Sequence, residues 1–243
     1  RIVLLQDVSE QRELDARREA FIAQMAHDLR NPIAALIGFA DLIETVGDLN
    51  DEQKHFLQRS KDTANKLHDV AAELVDLAWV EAGMPLKHLP IDLKQTIESA
   101  IAELTPMAQA KKITIFLSVQ DPLPAVIGDP NRIRLVVYKL LHNAILYSGA
   151  EQIVAIHAWS SEQEVLCSVA DRGIGISAEE LEMVFDRLYR SRDERVKVLP
   201  GGGIGLTIAK RIVSRHGGDL WGVSELDKGS TFTFRLPAVN AQS

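Results

Sequence analysis
The sequence predicts an α+β protein: a hairpin of two long helices, followed by an α/β sandwich. Three observations carry that expectation. Through roughly the first 80 residues, apolar side chains recur at spacings of three, four and seven, the period of an amphipathic helix. From residue 91 onward, helical stretches alternate with short β-branched and aromatic runs bounded by Gly, Pro and Asp. The charge also divides. Of 34 acidic and 27 basic residues, 1–90 hold 16 and 10 (net −6), leaving 18 and 17 (net −1) for 91–243.

Arg1–Leu5 reads as a short β-like run ended by Asp7-Val8-Ser9, and a start in mid-strand predicts a piece of something longer. From Glu10 the stripe Leu14, Phe21, Met25, Leu29, Ile33, Leu36, Ala40 and Ile43 predicts a helix to about Val46, roughly 50 Å long. Gly47-Asp48-Leu49-Asn50 ends it. Asn50 with Gln53 reads as a capping box opening a second helix, whose stripe is Phe56, Ser60, Ala64, Leu67, Ala71, Leu74 and Ala78. A two-helix hairpin cannot cover both stripes alone, which predicts pairing with a second copy as a four-helix bundle. Gly83-Met84-Pro85 breaks the second helix.

Asp92 with Gln95 caps a helix over 92–110, and Ile113–Val119 reads as a strand. Asp129-Pro130, an N-cap followed by Pro, opens a helix to about Tyr147. Ile153–Trp159 and Glu164–Ala170 read as strands, and a Gly-rich turn, Asp171–Ile176, follows. Ser177 with Glu180 predicts a short capped helix, and 186–200 a long structureless loop of the kind that forms lids. Gly201-Gly202-Gly203 opens a helix to about His216, and strands over 219–224 and 230–236 close the unit.

Composition removes several classes. A charge of −7 argues against non-specific nucleic-acid binding. The longest apolar run, Ile33–Ile43, is interrupted by Gly38 and Asp41 and is too short for a membrane span. A single cysteine, Cys167, excludes a disulfide framework and a Cys zinc site, and predicts a reducing, cytoplasmic setting.

Three segments carry chemistry. In Ala26-His27-Asp28-Leu29-Arg30-Asn31-Pro32, His27 faces outward beside a carboxylate, with Asn31 one turn on. A neutral imidazole is nucleophilic, and an adjacent carboxylate can orient it or take its proton. Pro32 should bend the helix just beyond, at a cost of about 3 kcal/mol. Next, Asp171-x-Gly173-x-Gly175 and Gly201-x-Gly203-x-Gly205 form two glycine turns separated by a charged loop. Neither fits the dinucleotide fingerprint or the P-loop. The amides opening the helix at 203–206 suit phosphate oxygens, and Asp171 at a strand end suits an adenine amino group. Last, Asn143 in an apolar helix is either a satisfied core amide or an oxygen donor to a Mg²⁺–phosphate group.

Taken together, these segments resemble the sensor histidine kinases of two-component systems. His27-Asp28-Leu29-Arg30-Asn31-Pro32 looks like their H box, and Asn143-Ala144 with Tyr147-Ser148 like their N box. Asp171–Gly175 is similar to the G1 box, Val184–Tyr189 with Arg187 to the F box, and Gly201–Leu206 to the G2 box. Gly229-Ser230-Thr231 and the run to Pro237 resemble the closing strand motif. The resemblance covers 10–237, with the motifs in family order. It implies a dimerisation and phosphotransfer hairpin at 10–83, a linker at 84–90, a Bergerat-type ATP-binding domain at 91–238 and a tail at 239–243. Residues 1–9 resemble the last strand of a PAS sensor domain.

The resemblance also implies roles. His27 would accept the γ-phosphoryl of ATP, Asp28 would act as base, and Asn31 would orient water for dephosphorylating a partner. Asn143 would hold Mg²⁺ and Asp171 would read adenine. Tyr147, Gly173, Gly175, Ile176, Arg187, Gly201, Gly203, Gly205, Leu206 and Thr231 would line the nucleotide site. The implied partners are a second copy of the chain and the receiver domain of a response regulator. Two positions depart from the pattern. Lys139 stands where the family has Asn, and would lend positive charge to the phosphates or compete with Mg²⁺. Leu146 replaces a Lys or Arg, a loss that Arg187, Arg190, Arg192 and Arg195 could make good. These departures keep a second reading open: a degenerate kinase serving as a dimeric docking or phosphatase module.

Overall fold
A computed structural model describes residues 9–238, so the β-like run at 1–5 and the tail at 239–243 lie outside the described residues. The chain divides into two compact units between Pro85 and Leu86.

The first unit is a hairpin of α1 (Ser9–Val46) and α2 (Asp51–Glu81). Helix α1 runs unbroken through Pro32. The capping box that opens α2 forms as its spacing predicts: Asn50 Oδ1 accepts from the Gln53 N–H (2.8 Å), and the Asn50 N–H donates to Gln53 Oε1 (2.9 Å). Lys61 ties the two helices together, its ammonium pairing with Asp41 at 2.7 Å and with Glu44.

The apolar residues of the hairpin fall on two faces, where the sequence pattern suggested one stripe per helix. Ile33, Ala64 and Ala71 are buried together with Ile37 packed against them, the alanines letting the helices approach closely. Leu29, Leu36, Ile43, Phe56, Leu67 and Leu74, assigned to the same stripes, are instead exposed, as are Phe21, Phe39, Leu42 and Val46. Spacings of three and four are satisfied by either face, so periodicity alone could not separate them. The side chains of Leu14 and Met25 lie outside the described residues.

The second unit is a sheet packed against helices. It runs β1 (Leu89–Ile91), α3 (Leu93–Ala110), β2 (Thr114–Val119), β3 (Val126–Gly128), α4 (Pro130–Tyr147), β4 (Ile153–Ser161), β5 (Glu164–Ala170), α5 (Glu194–Lys197), α6 (Gly205–Arg215), β6 (Asp219–Glu225) and β7 (Gly229–Pro237). The main sheet has the order β2-β4-β5-β7-β6, parallel at β2–β4 and antiparallel elsewhere. Alternation fixes its inner face: Val154, Ile156 and Ala158 of β4 and Val165, Cys167 and Val169 of β5 are buried. Ile97, Ile133, Leu140, Leu141, Ile208 and Ile212 are buried on the helix side, where α4 packs on β4 and β5, α3 on β2, and α6 on β6 and β7. Asp129 caps α4 as expected, accepting from the Asn131 and Arg132 N–H groups.

Three local expectations are corrected, and one element is added. No regular helix follows Ser177; the chain makes turns and a single 3-10 turn at Met183–Phe185. The Glu180 side chain is drawn away from Ser177 and accepts instead from Tyr189 Oη (2.9 Å), Ser191 Oγ (2.7 Å) and the Arg192 N–H (3.3 Å). The loop at 186–200 is not structureless but contains α5, capped by Asp193. Helix α6 starts at Gly205, with Gly201–Gly203 preceding it. Finally, β1 and β3 pair as a separate antiparallel ribbon that no local pattern announced.

Candidate functional site
His27 projects from α1 with its side chain 66% exposed. Its Nδ1 lies 3.5 Å from Asp28 Oδ1, which also accepts from Gln24 Nε2 at 2.8 Å. Asn31 Nδ2 stands 3.2 Å from each ring nitrogen, so it can donate to whichever is unprotonated. The i, i+4 geometry of the helix thus gathers His27, Asp28 and Asn31 into one exposed cluster. A neutral imidazole here is both accessible and oriented, the two conditions for nucleophilic attack on an incoming electrophile.

The second unit brings together one wall of side chains and turns from the end of α4, the turn after β5 and the β6–β7 hairpin. Lys139, Asn143 and Tyr147 recur every four residues on α4, so they share one face. Asn143 and Tyr147 are half-buried. Asp171 follows β5 directly. Its Oδ1 accepts from the Gly173 N–H (2.8 Å) and the Ser230 N–H (3.2 Å), leaving Oδ2 for a donor on a ligand. Burial raises the Asp171 pKa, while those two N–H bonds oppose the shift. Gly173 packs so closely on the Tyr147 carbonyl that a Cβ would collide with it, and the Ile174 N–H donates to the same carbonyl (3.3 Å).

Gly175 has φ +66° and faces the Glu225 carbonyl with no room for a side chain, so glycine is required there on both counts. The Ile176 N–H donates to Ser224 Oγ (2.8 Å), which is also 2.9 Å from Ser230 Oγ. Thr231 lies opposite Ala170 in the β5–β7 register, one step from Asp171.

The remaining site candidates sit in the segment from the 3-10 turn to α6. Gly201 and Gly203 precede α6, Gly205 and Leu206 open it, and no side chain caps its N-terminus, so its first N–H groups are available to an anion. Thr207 Oγ1 donates to the Phe185 carbonyl (2.9 Å). Arg187 is exposed. Two arginines offered as phosphate ligands are already engaged. Arg190 Nη2 donates to the Val196 (2.6 Å) and Leu199 (2.7 Å) carbonyls. Arg195 pairs with Asp193 (2.6 Å) and reaches Asp227 (2.7 Å). That arginine holds the Asp193 carboxyl down to about 2. Leu146 is buried, so that position offers no charge.

Sequence reasoning overlooked Ser224 and Asp227, whose partners Ile176 and Arg195 are far away in sequence. Ser230 was visible only as part of the closing strand motif, and Glu180 was read as a cap.

Both units are similar to known proteins. Residues 17–83 match the His Kinase A (phospho-acceptor) domain. Residues 128–240 match the family described as histidine kinase-, DNA gyrase B- and HSP90-like ATPase. The chain carries the two domains of a histidine kinase core. It is 30% identical over 239 residues to the sensor-like histidine kinase SenX3 of Mycobacterium tuberculosis (strain H37Rv), covering 98% of this chain and 58% of that protein. It is 30% identical to the sensor histidine kinase WalK of Bacillus subtilis (strain 168), covering 97% and 39%. The chain therefore spans well under two thirds of the length of these relatives. Among solved structures it resembles full-length ShkA in complex with AMPPNP, with a TM-score of 0.74 and 25% identity, covering 92% of this chain and 47% of that one.

A divalent metal fits the donor set in one way. Among the described residues, no group of three or more His, Cys, Asp or Glu side chains could hold an ion by itself. The half-buried Asn143 offers a single hard oxygen, which suits Mg²⁺, an ion usually held by one or two protein oxygens together with water and substrate phosphates. Among the same residues, no helix is long and apolar enough to cross a membrane.

Proposed function
We propose that this chain is the core of a sensor histidine kinase, transferring the γ-phosphoryl of ATP to His27 and then to an aspartate of a response regulator receiver domain. The observation that carries this reading is the exposed, carboxylate-flanked His27 in one unit of a chain whose other unit matches an ATPase family. Residues 10–83 serve as the phosphotransfer hairpin and 91–238 as the ATP-binding domain, with 239–243 a tail; the linker expected at 84–90 is shorter, since Leu89 and Pro90 already pair with β3 in the second unit. Residues 1–9 are read as the exit of a PAS-like sensor.

Asp171 accepts the adenine amino group through Oδ2. The Gly173 and Gly175 turn, Ile176, Tyr147 and Thr231 form the wall around it. The N–H groups at Gly205 and Leu206 take phosphate oxygens, with Gly201 and Gly203 as the hinges before them. Lys139 and Arg187 add positive charge toward the phosphates. Asn143 would hold Mg²⁺, which when bound would offset the negative charge of the phosphate chain. Asp28 Oδ1 faces Nδ1 of His27, so Nε2 keeps the lone pair and attacks phosphorus. The P–O bond to the departing ADP breaks as the N–P bond forms, and the imidazole proton passes to Asp28. Asn31, which touches the ring in this arrangement, swings aside for attack and is then placed to orient water in a phosphatase reaction.

The exposed apolar face of the hairpin supports a homodimer, and the −7 charge gives no footing for nucleic acid. The lone, buried Cys167 suits a reducing, cytoplasmic setting for this part of the protein. The buried Leu146 favours a second reading, a docking module that transfers little or nothing. One experiment separates the two. Incubation with γ-labelled ATP and Mg²⁺ should label the wild-type chain through an acid-labile, base-stable bond. His27→Gln should abolish labelling with ATP binding retained. Absence of label on wild type, or label persisting in His27→Gln, rejects the kinase reading.

A further inference from the structure
Lys111, the residue just after α3, makes contacts that the reading above does not use. Its Nζ donates to three main-chain carbonyls at the end of α4: Ile145 (3.0 Å), Leu146 (2.7 Å) and Ser148 (3.1 Å). A helix C-terminus leaves its last carbonyls without intrahelical donors, and they carry the negative end of the helix dipole. Here each carbonyl from 144 to 148 finds a donor. Ser148 Oγ donates to Ala144 (2.7 Å), Lys111 takes the three just named, and Tyr147 receives the Ile174 N–H (3.3 Å). The main chain of Lys111 closes the same junction from the other side, its carbonyl accepting from the Glu151 N–H (3.0 Å). The ammonium is partly buried, which pulls its pKa below the ordinary lysine value, and three carbonyl acceptors are what a cation needs to remain charged there.

The position matters because of what hangs on the next carbonyl. Tyr147 O is the anchor of the turn after β5: Ile174 bonds to it and Gly173 packs on it, two residues from Asp171. Asn143 lies one turn back on the same helix. We infer that Lys111 is a positioning residue of the nucleotide site, its ammonium fixing the last turn of α4 so that Tyr147 can hold the Asp171–Gly175 turn in its binding geometry. It touches no substrate; it acts through the Tyr147 carbonyl and the Asp171–Gly175 turn. The inference rests on the ATP-binding reading given above, but its structural half does not.

Two measurements on the full chain test it. Lys111→Met keeps the aliphatic stem and removes the donors. It should raise the KM for ATP about tenfold while changing the labelling rate at saturating ATP less than twofold, and Lys111→Arg should recover most of the loss. A purely structural lysine would do the reverse, lowering the active fraction and hence the saturated rate with KM unchanged. In hydrogen exchange without nucleotide, the Ile174 and Gly173 amides should exchange faster in Lys111→Met, whereas the Val165–Val169 amides of β5 should not. An unchanged KM in a folded variant, or unchanged exchange at 173–174, overturns the inference. Should Lys111→Met not fold, Lys111→Gln, which keeps a shorter donor, is read by the same split. If wild type binds no ATP, the functional reading fails by itself, and the exchange data still decide for or against Lys111.

Discussion
The two units treat their large apolar side chains in opposite ways. In the sheet unit Ile97, Ile133, Leu140, Leu141 and Phe234 are essentially inaccessible, because a sheet face and three helices enclose them. In the hairpin Phe39 is 62% exposed, Val46 83% and Phe56 57%, because two helices enclose little beyond Ile22, Ile33, Ala40, Ala64 and Ala71 and the Trp79–Val80 end of α2. One unit completes its core alone. The other presents an exposed apolar face, which the proposed second copy would cover. The division suits the proposed chemistry, since a phosphoacceptor must be open to two partners in turn while a nucleotide pocket needs a rigid wall.

The largest effect should come from charging that surface. Each buried Leu or Phe contributes about 1.5–3 kcal/mol, and a dimer counts each position twice. Leu36→Glu combined with Phe39→Glu should convert the chain to a monomer at micromolar concentration, read by light scattering. The melting transition of the sheet unit should stay in place. A dimer that survives both charges would show that this face is not the interface.

The contrast also explains what could be read in advance. Short-range signals transferred well: the Asn50–Gln53 box, the Asp129 cap before Pro130 and the alternating Val165, Cys167 and Val169 all depend on neighbours within a few residues. Cys167 lies fully buried, and desolvation pushes its thiol up to about 12, in keeping with an inert core strand residue. Signals failed where a distant group competed. Glu180 has the spacing of a cap partner, yet Tyr189, Ser191 and Arg192 claim it. Strands β1 and β3 are three residues each and are defined by pairing with each other, β3 being bridged to Ala238 as well, so no local period marks them. For the candidate site, glycines and carboxylates were visible because backbone conformation and charge are encoded by residue type. Lys111 was not, because a surface-type residue gains its place only from carbonyls some 35 positions away.

Within the sheet unit, a smaller effect should come from Asp171→Asn. The amide keeps one acceptor for the Gly173 and Ser230 N–H groups but removes the charge that makes Oδ2 a strong acceptor. A hydrogen bond to a charged group contributes about 1.5–3 kcal/mol, so ATP affinity should fall by roughly tenfold to a hundredfold. Thermal stabilisation by ATP should shrink accordingly, while the ligand-free melting point and the dimer mass should not change. An undiminished ATP shift would place the adenine contact elsewhere.

The smallest effect sharpens the comparison through pH, because the enclosed unit holds a histidine whose pKa burial lowers. His216, just after α6, donates from Nδ1 to the Ile212 carbonyl (2.7 Å) and accepts at Nε2 from the Asp129 N–H (3.0 Å). Burial lowers its pKa; the Ile212 bond and Asp129 oppose the shift, while Arg215 and His88 add to it. A protonated ring would turn an N–H toward the Asp129 N–H and lose that bond. The folded state therefore binds the proton less readily than the unfolded state. Its contribution is fully present above the unfolded pKa of about 6.5 and is lost as pH falls below that value toward the folded pKa. The loss should be at most about 1 kcal/mol, since the ring is only half-buried and solvent screens it. Melting of the sheet unit should drop between pH 7 and pH 5. His216→Gln, whose amide can accept from Asp129 without titrating, should flatten that drop and leave the dimer mass unchanged. An equal pH slope in the variant would assign the acid sensitivity to other groups, and the α6–α4 junction would then be held by packing rather than by this hydrogen bond.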